Sequence, residues 1–160
     1  MLKKIIIKQK KVWILLGLVL LLSSCALASK PNMDEQAEDG KYHYRNKELG
    51  FNLTLPEEFI YYQFQRKTTS DFTDLEFFVP TSDLDYPQEV PGYAKPVVVR
   101  VFKKNFWSEM QEENKKLWQV MEEKKDKVYA IQFWLRIPKD WTEKWTNDLE
   151  QKVIQGFEIN

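Results

Sequence analysis

The clearest signal along the chain is alternation. Phe51, Leu53 and Leu55 are apolar, Asn52 and Thr54 between them are polar, and Pro56 closes the run, the period-two pattern of a strand with one buried face. A second run, Phe59 to Thr69, carries Tyr61, Tyr62 and Phe64, and the polar stretch Thr68-Thr69-Ser70-Asp71 reads as a hairpin turn into Leu75–Val79. Residues 81–95 form a loop, bounded by Pro80 and Pro96 and broken by Pro87, Pro91 and Gly92. Beyond it Val97–Phe102 is almost wholly apolar, which predicts a central strand covered on both faces.

The second half mixes periods. Asn105 is a plausible cap for a helix to about Asn114, with Trp107 and Met110 on its buried side. A helix continued to Met121 competes with a strand over residues 117–122. The strand is preferred, because Glu123–Asp126 then forms the turn of a hairpin into Val128–Ile137. In that strand Tyr129, Ile131, Phe133, Leu135 and Ile137 share one face, and Gln132, Trp134 and Arg136 the other. For the last helix, Asp140 and Glu143 have capping-box spacing after Pro138, and Trp141, Trp145, Leu149 and Val153 recur every four residues. Gly156 is expected as a left-handed stop, and Phe157–Ile159 as a short edge strand. The sum is an α+β domain, a mostly antiparallel sheet flanked by two helices.

The N-terminus follows other rules. A basic stretch through Lys11 precedes the apolar run Val12–Leu22, and Ser23-Ser24-Cys25 follows, the order of an export signal. A helix of these 11 residues is only about 16 Å long at ~1.5 Å per residue, against a hydrocarbon core of about 30 Å. Lengthening it to span draws in Lys8, Lys10 and Lys11, each costly near a bilayer centre. The junction Leu22-Ser23-Ser24-Cys25 resembles the lipobox of bacterial lipoproteins. That resemblance implies that Cys25 receives a diacylglyceryl group and that residues 1–24 are removed as a signal peptide. The protein would then face the extracytoplasmic side of the cell membrane or outer membrane.

Residues 25–40 hold few large apolar side chains and read as a lipidated flexible tether, leaving residues 41–160 as a single domain expected to be monomeric. The 160-residue chain balances 24 basic against 24 acidic residues, but residues 1–24 contain five of the basic ones and no acid. The remainder is therefore acidic, which argues against nucleic-acid binding. With Cys25 the only cysteine, no internal disulfide can form.

Three segments of the domain carry a further likeness: Tyr44-Arg-Asn-Lys-Glu-Leu-Gly-Phe51, Leu53-Thr-Leu-Pro56, and the helix end Val-Ile-Gln-Gly-Phe157. In kind and order they resemble small secreted PsbP-like modules. The resemblance implies a sheet flanked by helices and a non-catalytic role in binding or assembly. The chain departs from that pattern at Leu55-Pro-Glu-Glu-Phe59, where a proline followed by tryptophan is common.

Candidate chemistry is sparse. His43 is the only histidine, and no Gly-x-Ser-x-Gly elbow is present. Asp71, Asp74, Glu76, Asp83 and Asp85 suggest either a calcium site or turn-forming acids. The second is preferred, because no EF-hand pattern appears. Trp118 and Trp134 are candidates for a cross-strand pair or an exposed stacking platform. No catalytic, metal or cofactor site is assigned. The expected role is a membrane-tethered module for an envelope protein or glycan partner, and the alternative is a small envelope glycan hydrolase using paired carboxylates. A solute receptor is disfavoured, because one small domain does not make a two-lobed cleft.

Overall fold

The computed structural model describes residues 37–160. The expected signal peptide, the expected lipidation site Cys25 and residues 26–36 of the expected tether lie outside the described residues. Among the described residues eight strands form two sheets, and every pairing is antiparallel. The smaller sheet has the order β1 (Tyr42–Asn46), β2 (Phe51–Leu55), β8 (Phe157–Ile159). The larger has the order β3 (Gln63–Thr68), β4 (Phe72–Pro80), β5 (Tyr93–Lys103), β7 (Lys127–Phe133), β6 (Gln119–Glu123). Helices α1 (Lys104–Glu109) and α2 (Glu112–Lys115) link β5 to β6, and α3 (Asn147–Gln155) precedes β8. Among the described residues no helix is long and apolar enough to cross a membrane.

The alternating residues do as their spacing predicts. Phe51, Leu53 and Leu55 are fully buried and face Leu75, Phe77, Val97, Val99 and Ile131 of the larger sheet in one core. Aromatic edges join the two layers, with Tyr44 on Phe77 at 5.3 Å and Phe51 on Tyr129 at 6.4 Å between ring centres. β5 is the central strand of five, and its outward residues are covered at one end by a second cluster of Phe102, Trp107, Val128 and Ala130. The strand alternative for residues 117–122 is realised as β6, with Lys124 N donating to Lys127 O to close its turn.

Four local expectations are corrected. Asn105 does not cap α1; the helix follows β5 directly, and neighbouring turns satisfy Lys103 N through Asp71 O and Lys104 N through Asp126 O. The last strand ends at Phe133, leaving Leu135 and Ile137 exposed, because Trp134 turns inward against Trp141 and Trp145. The final helix begins at Asn147, where Thr146 Oγ1 accepts from Leu149 N, while Trp141 belongs to a separate single turn, Lys139–Trp141. All four residues of the expected stripe are nonetheless buried in the main core.

Gly156 is the fourth. Its φ of −77° is right-handed, so the reason for glycine is proximity and not handedness. A Cβ there would lie 2.1 Å from Thr54 O, where Thr54 N already donates to Gly156 O. Gly156→Ala must therefore push α3 and β8 away from β2. Unfolding in denaturant is expected to show a larger loss than the roughly 1 kcal/mol typical of removing a cap with Thr146→Ala. Trp145→Ala, which empties a site lined by Phe59, Phe133 and Trp134, is expected to cost about 3–5 kcal/mol.

Candidate functional site

Ala37–Gly40 form a turn closed by Ala37 N donating to Lys41 O and Gly40 N donating to Ala37 O. The turn brings Asp39 beside β1. Within the β1–β2 hairpin His43 stands directly opposite Thr54, both pointing away from the core. His43 Nδ1 lies 3.1 Å from Thr54 Oγ1, and Nε2 lies 3.1 Å from Asp39 Oδ2. Lys41, Pro56, Lys152, Gln155, Gly156 and Glu158 complete a cleft of about 430 Å³ around this row. The imidazole thus has the orienting partners that sequence alone did not give it. The signal was available in the register, since a turn over residues 47–50 sets position 43 against position 54.

A carboxylate, an imidazole and a hydroxyl in line invite comparison with a nucleophilic triad, but two described backbone donors beside the hydroxyl are already committed. Acyl transfer needs N–H donors aimed at a developing oxyanion. Thr54 N is committed to Gly156 O, and Gly156 N to Lys152 O. The Lys41 backbone N–H, and then the His43 contact, hold Asp39 below the ordinary carboxylate range. Asp39 thus joins the Lys41 N–H to the His43 imidazole.

The other acidic candidates are dispersed. Asp74 accepts two hydrogen bonds from Arg100, at 2.5 and 2.6 Å. Glu76 is buried between Lys67 at 2.6 Å and Lys95 at 2.9 Å, and Glu89 bridges the same two lysines. Among the described residues no group of three or more His, Cys, Asp or Glu side chains is placed to hold a metal ion. Trp118 and Trp134 are not partners. Trp118 packs on Phe102 and under Arg100, and Trp134 on Tyr86, Trp141 and Trp145.

Asp83 and Asp140 have roles that sequence reading missed. Asp140 accepts from Thr81 Oγ1 at 2.7 Å and Ser82 N at 2.9 Å, while Asp83 accepts from Lys139 N at 2.9 Å and Asp85 N at 3.0 Å. Lys139 Nζ adds an ion pair to Asp85, and Trp141 Nε1 donates to Pro80 O. These bonds fasten the β4–β5 loop to the segment after β7. The Asp85 N bond is the turn-forming role expected of Asp83, whereas the bonds to Lys139, Thr81 and Ser82 span more than fifty residues and leave no local signature; Asp140 is drawn to Ser82 instead of capping a helix.

No protein-family model matches this chain, and neither does any curated protein or solved structure.

The staples titrate in a defined direction. The Lys139 backbone N–H holds Asp83 below its ordinary range. Burial works to raise Asp140, but the Ser82 N–H and Thr81 hydroxyl outweigh it and leave the group lowered. A depressed carboxyl contributes stability that is present above its unfolded pKa, near 3.9 for Asp, and lost as pH falls through the folded value. Protection of the amides in residues 81–92, taken against the intrinsic exchange rate at each pH, is therefore expected to fall on acidification below about pH 4. Asp140→Asn is expected to lose about 1–3 kcal/mol at neutral pH and to flatten the acid limb of a stability-against-pH curve.

Proposed function

We propose that this protein is a lipid-anchored extracytoplasmic lipoprotein whose single domain, PsbP-like in its element order, is a non-catalytic module for binding or assembly at the envelope. The observation that carries the reading is the order of basic stretch, short apolar run and Leu22-Ser23-Ser24-Cys25. It places a cysteine where lipoprotein processing requires its acceptor. Two or three acyl chains hold a protein lastingly, whereas one does so only marginally, at about 0.8 kcal/mol per buried methylene.

The domain chemistry supports a non-catalytic role. A glycan hydrolase needs one carboxyl group kept protonated near neutral pH. The described carboxyl groups with a displaced titration, namely Asp39, Glu48, Asp83, Glu89 and Asp140, all move downward. Asp74 and Glu76, the buried acids of β4, face cations.

Cys25→Ala is expected to abolish acylation and to leave residues 1–24 attached. Intact mass of detergent-extracted protein and incorporation of a labelled fatty acid measure both. Cleaved, labelled protein from the variant would overturn the proposal.

A further inference from the structure

The strand registers give the larger sheet two ends. At one lie the start of β3, the end of β4, the starts of β5 and β6 and the end of β7. The exposed large apolar side chains of the described residues gather there. Ile60 and Tyr61 immediately precede β3, Leu84 lies in the β4–β5 loop, Leu117 precedes β6, Leu135 and Ile137 follow β7, and Val120 is near the start of β6. Leu84 and Leu135 are 93% and 85% exposed. The opposite end turns through Lys47-Glu48, Thr69-Ser70-Asp71 and Lys124-Lys125-Asp126, which are polar.

The apolar end is also where the chain enters the domain. Tyr42, the first residue of β1, packs edge-on against Tyr62 just before β3, whereas the far end of β1 leads to Leu49, whose carbonyl accepts from Tyr129. The first described residues, Ala37–Gly40, therefore lead into β1 on the side that carries the exposed leucines.

We propose that this end of the domain is a membrane-contact surface. Leu84, Leu135 and their apolar neighbours enter the headgroup and acyl boundary of the bilayer that holds the acyl chains of Cys25. The proposal rests on the lipoprotein reading above. The loops are built to present these side chains: the Asp83 and Asp140 bonds fix the two leucine-bearing segments to each other, so little ordering remains to be done on contact. Their polar companions suit a lipid boundary, since Lys139 and Asp85 neutralise each other at 2.5 Å and the exposed Arg136 has a stem long enough to reach lipid phosphates. Side chains that stand out singly from loop tips fit a fluid apolar phase better than a protein partner, which needs a continuous patch of about 800 Å². Tethering makes a weak contact effective, because the spacer holds the domain at high local concentration beside the surface.

The test uses the full chain, extracted from membranes and reconstituted into phosphatidylcholine vesicles containing a nitroxide-labelled lipid. Fluorophores are placed by Leu84→Cys, Leu135→Cys, Ser70→Cys and Lys125→Cys. Quenching is expected to be several-fold stronger at positions 84 and 135 than at 70 and 125, with little dependence on salt. In the double variant Leu84→Asp, Leu135→Asp, a fluorophore introduced by Ile60→Cys is expected to lose most of its quenching while the protein still floats with the vesicles.

Label uptake by the unsubstituted chain reports separately whether Cys25 is blocked. Blocked Cys25 with equal quenching at both ends overturns the contact surface and leaves the anchor standing. Free Cys25 with quenching confined to positions 84 and 135 overturns the anchor and supports the surface; free Cys25 without quenching overturns both. Photo-crosslinking from position 135 in cells that yields a protein adduct and no lipid adduct also overturns the proposal.

Discussion

The burial of one sheet against the other is the constraint on which the rest depends. The apolar face of three short strands stabilises them only when it is removed from water. Here Tyr44, Phe51, Leu53 and Leu55 are covered by Phe77, Val99, Tyr129 and Ile131. The smaller sheet is also assembled from both ends of the domain, since β8 pairs with β2 and Asn160 N donates to Gly50 O. The chain must therefore return antiparallel to its own beginning. α3 supplies the return, with Leu149 and Val153 in the shared core. Gly156 permits the backbone approach to Thr54 that lets β8 take its place.

The outward face of the larger sheet is sheltered differently. Among the described residues no helix lies over its middle, where long charged side chains cover the strands. The Arg100 guanidinium sits 3.7 Å from the Phe72 ring centre and 4.3 Å from that of Trp118 while holding Asp74 at two points. Next to it Glu76 is enclosed by Lys67 and Lys95. Such pairs add little net stability over apolar side chains of the same shape, but losing one partner leaves an uncompensated buried charge. Their arrangement therefore fixes which residues of β3, β4 and β5 lie opposite each other more than it strengthens the fold. Val98 and Ala130 on this face are both buried, Ala130 in the cluster of Phe102, Trp107 and Val128, so this face offers little apolar surface to a partner.

Local pattern was legible wherever the strand itself decided burial. The alternation in β2, the continuous apolar run of β5, the β6–β7 hairpin and the short β8 all follow from side-chain periodicity and turn chemistry, and they appear as expected. The division into two sheets did not follow, because periodicity states which face of a strand is buried and not which strand lies beside it. The same limit applies to Asp140, Asp83 and Gly156. Each was read from its neighbours in sequence, and each is fixed by a residue more than fifty positions away. The Asp39, His43 and Thr54 row lies between these cases: its core is a register consequence of one hairpin, but the preceding turn that supplies Asp39 carries no strong pattern. The proposed processing signal at Cys25 rests on sequence order alone.

Leu135 and Ile137 show how a local rule fails informatively. Their spacing continues that of Tyr129, Ile131 and Phe133, and a strand carried through them would have buried both. Trp134 instead rotates into the aromatic group formed by Trp141, Trp145 and Tyr86, and the chain leaves the sheet after Phe133. Burying a large indole removes more apolar area from water than burying a leucine, so the inward turn is favoured even though it releases Leu135 to solvent. The staples to the β4–β5 loop then hold the released segment in a defined shape. A loop left bare by weak packing has nothing to fix its conformation. This one spends two carboxylates, a hydroxyl and an indole N–H on staying ordered, so the exposure of its leucines is a built feature of the fold, on loops of the kind that carry function while a scaffold holds them.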